Sequence, residues 1–227
     1  MIKAVVFDLD HTLYDRYGTI SMGAHLARKT FAVKEGVTDA QIAEKWIFCD
    51  KSFVHFGFEK MYGELARSGI FTEPLPTIEQ MISLHYELYT SYAVPYDFAI
   101  PAVKALKERG FAVALITNGR SAVQRKKLRM LDMVGLFDEV TVGGEFGLQK
   151  PHKEIFLDMA QRLGVDPSEM MYVGDNPVND IKGSREAGCV PVWVRTTEWN
   201  FPDIEKPEIS VGTVEELPRL GILGGVS

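Results

Sequence analysis

The chain has 227 residues, of which 46% are hydrophobic and 25% are charged, and its formal net charge at pH 7 is −6. This composition is typical of a globular protein with a sizeable core, and it excludes an intrinsically disordered chain. The negative charge comes without a long basic run, so the sequence also argues against binding to a nucleic-acid polymer.

The two cysteines, Cys49 and Cys189, lie far apart in the sequence and offer neither a disulfide framework nor a metal-ligand cluster. We expect both to be buried thiols in a reducing cytoplasm. The apolar run at the N-terminus is too short for a signal peptide, and no stretch approaches the roughly 20 apolar residues that span a bilayer. The expected protein is therefore cytoplasmic, with no membrane partner, and its oligomeric state is left open.

The first predicted element is a short strand at residues 2–7, with the sequence IKAVVF, which ends at Asp8. Its β-branched and aromatic side chains form a continuous apolar run, which is typical of a buried strand in a parallel sheet. Functional side chains are then expected directly after residue 7, at the carboxyl end of the strand.

Residues 16–97 show helical patterns only. Thr38 and Thr77 are each followed three residues later by a glutamine, which is the spacing of a capping box at the start of a helix. After Thr77, side chains recur every three or four residues and predict the buried stripe of an amphipathic helix. That stripe consists of Met81, Leu84, His85, Leu88 and Tyr92.

From about residue 98, helical and strand patterns alternate to the end of the chain. Such alternation predicts right-handed crossovers and a doubly wound, mainly parallel α/β sheet. We therefore predict a core formed by residues 1–15 and 98–227, with an all-helical domain inserted at 16–97, and a short last helix at a third capping box that begins at Thr213. The predicted strands are 111–117, 139–142, 170–173 and 190–194, and the helices are one that ends before Gly110 and those at about 121–134, 152–163 and 178–187.

Polar side chains follow four of the predicted strands, and ligands of open α/β sheets bind at the carboxyl ends of the strands. Two like charges about 4 Å apart repel by about 4 kcal/mol at an effective dielectric constant of about 20, so clustered acids require a cation. Oxygen ligands without nearby histidine or cysteine favour Mg²⁺. The residues in question are Asp8 and Asp10, Thr117 and Asn118, Lys150, and Asp175 with Asp180.

Four short segments resemble, in order and spacing, the four motifs of the haloacid dehalogenase (HAD) superfamily. They are DLDHT at 8–12, ITNG at 116–119, Lys150 in QKP, and GDNPVND at 174–180. The resemblance covers roughly residues 1–15 and 98–195, and the helical insertion is similar to the superfamily's helical cap of the C1 type. It implies a Rossmann-like HAD core and an enzyme of the phosphatase branch.

The resemblance further implies a covalent mechanism. Asp8 would be the nucleophile that accepts the phosphoryl group, and Asp10 would protonate the leaving alcohol and then activate water. Thr117, the backbone amide of Asn118 and Lys150 would bind the phosphoryl oxygens. The family's dehalogenases lack an acid at the position of Asp10, so its presence indicates phosphate chemistry.

For the metal, the resemblance implies Mg²⁺ bound by Asp8, by the backbone carbonyl of Asp10 and by Asp175. Asp180 would support the metal through water or a neighbouring ligand. Thr12 would help to hold the turn of the first motif.

The expected substrate is a small phosphomonoester, such as a nucleotide or a sugar phosphate. Two alternatives share the acidic site: a phosphotransferase of the sugar phosphate mutase type and a non-enzymatic phospho-receiver domain. A dinucleotide-binding protein is disfavoured, because DLDHT occupies the place of the glycine-rich turn that follows the first strand in such folds.

Overall fold

The computed structural model describes residues 1–197, 199 and 205–224. They form two compact units, of which one contains residues 1–15, 95–197 and 205–224 and the other contains residues 16–94. Residues 95–97, which the sequence pattern placed in the helical insertion, group with the first unit. There Pro95 forms a β-bridge with Tyr14, and the amide of Tyr96 donates a hydrogen bond to the carbonyl of Leu13 at 3.2 Å.

The first unit is built on a parallel β-sheet. Within the described residues its strands are β1 (Ala4–Phe7), β2 (Ala112–Thr117), β3 (Glu139–Val142), β4 (Met170–Gly174), β5 (Val190–Val194) and β6 (Ile209–Val211). They pair in the order β3-β2-β1-β4-β5-β6, and every pair is parallel. The strand order reverses at β1, which lies between β2 and β4. The carboxyl ends of these three strands therefore form the crevice in which doubly wound folds bind ligands.

Helices α1 to α4 belong to the second unit, and the remaining helices belong to the first. No helix in the described ranges is long and apolar enough to cross a membrane. The α-helices are α1 (Arg16–Thr30), α2 (Asp39–Phe53), α3 (Phe58–Ala66), α4 (Ile78–Ser91), α5 (Ala99–Glu108), α6 (Ser121–Met130), α7 (Gly143–Phe146), α8 (Lys153–Leu163) and α9 (Gly183–Glu186).

Four features of the first unit differ from the sequence prediction. A π-helical turn, Pro177–Lys182, leads into α9 where one regular helix was predicted. Strand β6 and helix α7 were not predicted, because β6 has only three residues and the single turn of α7 opens with two glycines, which disfavour a helix. The predicted last helix is a 3₁₀ segment, Val214–Arg219.

The core of the first unit lies between the sheet and α8. This helix turns Ile155, Phe156 and Met159 toward the sheet, and all three are fully buried. The ring of Phe156 packs edge-on against Tyr172 of β4, with ring centroids 4.8 Å apart. Burial of one such side chain stabilises the fold by about 1.5–3 kcal/mol, so α8 fixes the position of β4 beneath the crevice.

In the second unit, α2 and α4 begin at the two capping boxes that the sequence predicts. At the start of α2, the backbone amide of Gln41 donates to the Thr38 hydroxyl at 3.3 Å, and the Gln41 side chain accepts from the Thr38 amide at 2.8 Å. Thr77 and Gln80 form the same reciprocal pair at the start of α4. Both capping boxes are thus confirmed.

The predicted stripe of α4 is confirmed except at its last member. Met81, Leu84, His85 and Leu88 are buried. Tyr92 follows the last helical residue, Ser91, and is 42% exposed, so its inclusion in the stripe was wrong.

A buried ion pair that was not predicted joins α1 and α2. The Nη2 atom of Arg16 lies 2.6 Å from Oδ1 of Asp50, and its Nε lies 3.1 Å from Oδ2. Asp50 is fully buried, and the guanidinium carbon of Arg16 lies 4.7 Å from the centroid of the Tyr89 ring. A fork of two donors on one carboxylate fixes the relative orientation of the two helices.

Candidate active site

Asp8 is the first residue after β1, at the centre of the sheet. Its amide donates to the carbonyl of Val173 in β4 at 2.8 Å, so the backbone is still tied to the neighbouring strand where the carboxylate emerges. The residue as a whole is 7% exposed. Asp8 is therefore a buried acid held by a rigid strand end.

The chain turns sharply after Leu9. The amides of Leu13 and Tyr14 both donate to the carbonyl of Leu9, at 2.9 and 3.0 Å. Thr12 is fully buried, and its hydroxyl has no hydrogen-bond partner among the described residues. Backbone hydrogen bonds hold this turn, and the supporting role of Thr12 stays a prediction.

Lys150 joins the carboxylates of two distant segments. Its Nζ lies 2.5 Å from Oδ1 of Asp8 and 2.7 Å from Oδ1 of Asp180. The hydroxyl of Tyr172, on β4, is a third neighbour at 2.8 Å and itself donates to the carbonyl of Ile116 at 3.2 Å. These contacts fix the ammonium group between the first and fourth motifs.

Asn118 holds the backbone of Lys150 through its side chain. Its Nδ2 donates to the Lys150 carbonyl at 2.9 Å, and its Oδ1 accepts from the Lys150 amide at 2.8 Å. The family resemblance implies a role for the backbone amide of Asn118, and these side-chain contacts are additional to it. Thr117, the last residue of β2, is buried, and its hydroxyl accepts a hydrogen bond from Gln124 of α6.

Asp8, Asp175 and Asp180 form a cluster that has the composition of a metal site. One carboxylate oxygen from each lies within 4.8 Å of the other two, and all three residues are buried. Asp180 thus lies in the same cluster as Asp8 and Asp175. Three oxygen donors with no nitrogen or sulfur ligand suit a hard divalent cation, so these residues fit such an ion.

Local backbone features place Asp175 and Asp180. Oδ2 of Asp180 accepts a hydrogen bond from the Asn176 amide at 2.9 Å, and the Trp193 indole donates to the Asp175 carbonyl at 2.9 Å. Gly174 makes room for Asp180, because a Cβ atom at position 174 would lie 2.4 Å from its Cγ. The glycine of the fourth motif is thus required sterically.

The electrostatics of the cluster also favour a cation. Burial, with smaller contributions from the charges of Asp180 and Asp10, raises the pKa of Asp8 to about 7 against the opposing effect of Lys150. Burial, followed by the charges of Asp180 and Asp8, raises the pKa of Asp175 well above its usual value. Burial lowers the pKa of Lys150, but Asp180 and Asp8 outweigh it and hold this pKa above its usual value. One lysine therefore leaves the buried acids short of positive charge.

Asp10 points its carboxylate to a different lysine. The Nζ of Lys127, on α6, lies 2.8 and 3.0 Å from its two carboxylate oxygens. Nε2 of Gln124, one helical turn earlier, lies 3.3 Å from Oδ2 of Asp10. The two aspartates of the DLDHT segment are therefore each paired with a lysine from another part of the chain.

Sequence reasoning missed Lys127, Gln124 and Tyr172. The basic segment SAVQRKKLRM of α6 reads as a solvated helix face, yet its buried residues are Gln124, Lys127 and Leu128. Their spacing of three and four places both polar residues on the apolar face of the helix. That placement was the available signal.

Comparison with known proteins shows which protein family this chain resembles. The family model for haloacid dehalogenase-like hydrolases matches residues 2–188. The chain is 32% identical, over 96% of its length and all of the relative's, to glyceraldehyde 3-phosphate phosphatase of Methanopyrus kandleri. It is 30% identical to the Methanocaldococcus jannaschii protein of the same name, over 97% of its own length and 96% of that protein's.

A solved structure has the same fold. The putative HAD-hydrolase YfnB from Bacillus subtilis, determined bound to magnesium, matches with a TM-score of 0.75 and 21% identity, covering 98% of this chain and 99% of that one. At this identity the likeness is evidence for the fold alone.

Proposed function

The chain belongs to the haloacid dehalogenase-like hydrolase family, and we propose that it is a magnesium-dependent phosphatase that hydrolyses a small phosphomonoester through an aspartyl-phosphate on Asp8. The observation that carries the proposal is the pairing of the Asp8 carboxylate with Lys150 beside Asp175 and Asp180. A buried carboxylate next to an ammonium group and a cation-binding cluster is suited to attack on an anionic phosphoryl centre.

In the first step, Asp8 attacks phosphorus in line with the leaving oxygen. The bond between phosphorus and the Asp8 oxygen forms as the bond to the leaving oxygen breaks, and Asp10 donates its proton to that oxygen. Lys150 and the Thr117 hydroxyl hold the equatorial phosphoryl oxygens, and the amide of Asn118 donates to the same group.

In the second step, water replaces the enzyme's oxygen. Asp10, now ionised, removes a proton from the water molecule as its oxygen bonds to phosphorus. The bond between phosphorus and Asp8 breaks, which releases inorganic phosphate and restores the Asp8 carboxylate. One carboxyl group thus acts first as acid and then as base.

Asp8 and Asp175 would hold the metal through their side chains and Asp10 through its backbone carbonyl, with Asp180 beside them. A divalent cation there supplies positive charge against the repulsion between an anionic nucleophile and an anionic substrate. The choice of Mg²⁺ rests on the oxygen-only donors of the cluster.

For the substrate, the names of the two archaeal relatives support a small phosphorylated metabolite. Glyceraldehyde 3-phosphate is the first compound to test, followed by nucleotides and sugar phosphates. The proposal also treats residues 16–94 as a cap of the C1 type and places the protein in the cytoplasm, in keeping with its two free, buried cysteines.

The proposal is tested by measuring inorganic phosphate released from a panel of phosphorylated metabolites with Mg²⁺ present. We expect steady release from at least one small phosphomonoester, loss of activity in excess EDTA, and recovery when Mg²⁺ is restored. No release from any compound would overturn the proposal.

The same assay separates the alternatives. A mutase-type phosphotransferase would return the phosphoryl group to an acceptor sugar, so steady phosphate release without that sugar argues against it. A receiver domain would become phosphorylated once and would not turn over para-nitrophenyl phosphate.

A further inference from the structure

We infer that Lys127, assisted by Gln124, is a positioning residue for catalysis: it holds the Asp10 carboxylate in the orientation needed for proton transfer. The inference rests on the proposed function, because it takes Asp10 as the general acid and base. Neither α6 residue belongs to the four motifs described above. Three observations support it: Lys127 is buried, its Nζ contacts the Asp10 carboxylate, and Gln124 contacts both Asp10 and Thr117.

Lys127 is buried, whereas the other cationic side chains of α6 are not. Its side chain is 3% exposed, whereas the neighbouring Lys126 and Arg129 are exposed. Placing an ammonium group in such an environment is costly unless an anion compensates it. A lysine in this position therefore indicates a specific partner, and that partner is Asp10.

The contact restrains both oxygens of the Asp10 carboxylate. Nζ of Lys127 lies 2.8 Å from Oδ1 and 3.0 Å from Oδ2. The same Nζ lies 4.7 Å from the ring centroid of Tyr14, and Tyr14 itself closes the turn that carries Asp10. The ammonium group is thus held by a ring and a carboxylate from one turn, and it limits rotation of the Asp10 side chain.

Gln124 connects this pair to the predicted phosphate-binding strand. Its Nε2 donates to the Thr117 hydroxyl and lies 3.3 Å from Oδ2 of Asp10. Because residues 124 and 127 are three apart, they share one face of α6. A single helix therefore sets the position of Asp10 relative to Thr117.

The two lysines contact different aspartates, and this difference has a chemical reason. Lys150 contacts Asp8 and Asp180, whereas Lys127 contacts Asp10. A proton donor must face the leaving oxygen rather than join the group around the nucleophile. By holding Asp10 toward α6, Lys127 keeps the two carboxylates in separate roles, and small displacements of such groups cost about 10²-fold in rate.

The test compares two leaving groups in the full-length protein with Mg²⁺. Nitrophenolate leaves from para-nitrophenyl phosphate with little help from an acid, whereas an alkoxide needs a proton. The alkyl substrate is glyceraldehyde 3-phosphate or, if the wild type does not use it, the alkyl phosphate with the highest kcat/KM in the metabolite panel. For Lys127→Met we expect kcat/KM to fall about 10²-fold on the alkyl phosphate and by no more than about threefold on para-nitrophenyl phosphate.

Two further variants keep the test decisive. Lys127→Gln retains a donor without the charge and should show the same selectivity with a smaller loss, which covers the case in which Lys127→Met does not fold. Arg129→Met removes one positive charge from the exposed face of α6 and should leave both substrates unaffected. Thermal unfolding of each variant verifies the fold.

An equal loss on both substrates, or no loss on either, would overturn the role of Lys127 while leaving the phosphatase proposal intact. A wild-type protein that hydrolyses neither substrate would overturn the phosphatase proposal itself. The two failures are therefore distinguishable.

Discussion

The ammonium group of Lys150 lies 2.5 Å from a carboxylate oxygen of Asp8, although the two residues are 142 positions apart in the sequence. The contact depends on parallel pairing between β1 and β2 and on the Asn118 side chain, just after β2, that holds the Lys150 backbone. A cation fixed in this way can act on the charge that develops during phosphoryl transfer without reorganising.

Replacing Lys150 by methionine should therefore abolish most of the activity. We expect Lys150→Met to lower kcat by about 10²–10³-fold, which is the range for removal of one preorganised charge-stabilising donor. The measurement is steady-state phosphate release with saturating Mg²⁺. Lys153→Met, at an exposed position three residues further on, should retain wild-type activity. A Lys150→Met protein that turns over at the wild-type rate would contradict the role assigned to this lysine.

Metal dependence should be traceable to Asp175. Asp175→Asn removes one of three clustered carboxylates, so we expect the Mg²⁺ concentration for half-maximal activity to rise by at least about tenfold. Titration of Mg²⁺ into EDTA-treated protein measures this value. Asp158→Asn, on the outer part of α8, should leave it unchanged. If both variants respond to Mg²⁺ like the wild type, the cluster is not the metal site.

The contribution of Asp8 to the stability of the metal-free protein should fall as the pH rises between about 4 and about 7. The pKa of Asp8 is raised from 3.8 to about 7 by burial, so in this interval the folded state keeps a proton that the unfolded state releases. The free energy of unfolding then decreases with pH, by at most about 1.4 kcal/mol per pH unit for one group.

This pH dependence is measured by urea unfolding in EDTA at several pH values, for the wild type and for Asp8→Asn. The variant lacks the titrating carboxyl and should show a flatter profile across the interval. Mg²⁺ should stabilise the wild type more at pH 7.5 than at pH 5. Parallel profiles for the two proteins would show that Asp8 has no raised pKa.

The helical unit should depend strongly on its buried ion pair. Asp50→Ala leaves the Arg16 guanidinium buried without its carboxylate, and we expect a loss of about 3–5 kcal/mol in the free energy of unfolding. Glu64→Ala removes an exposed carboxylate that bridges Lys60 and Arg67, and it should cost at most about 1 kcal/mol. Urea unfolding measures the free energy of unfolding of both variants. Equal losses would show that the buried pair of Arg16 and Asp50 stabilises the fold no more than an exposed pair does.

Much of the fold could be predicted because its signals are local. The apolar run of β1 and the capping boxes at Thr38 and Thr77 depend on side chains within a few residues of one another, and the structure contains all of them. The π-helical turn at Pro177–Lys182 could not be predicted in this way. Asp180 lies within it and bonds to Lys150, a tertiary contact that overrides the regular helical pattern.

The residues of the site could likewise be predicted where the signal is local, and not where it depends on a tertiary contact. Motif order predicted that Asp8, Lys150 and Asp175 follow strands that end at one edge of the sheet, and the structure brings them together there. Lys127 was missed because its partner, Asp10, is 117 residues away, and the position of Lys127 on the apolar face of a basic helix does not identify that partner. The side-chain role of Asn118 was missed for the same reason, since it depends on a loop 32 residues further along the chain.

The most direct test of the central claim is to identify the phosphorylated residue during turnover. The protein is mixed with para-nitrophenyl phosphate and Mg²⁺, quenched in acid within the first turnovers and digested for mass spectrometry. We predict a phosphoryl group on the peptide that contains Asp8, labile to hydroxylamine as an acyl phosphate is, and absent from Asp8→Asn. A phosphoryl group on another residue, or an unmodified Asp8 peptide in a quenched protein that turns over rapidly, would contradict the mechanism.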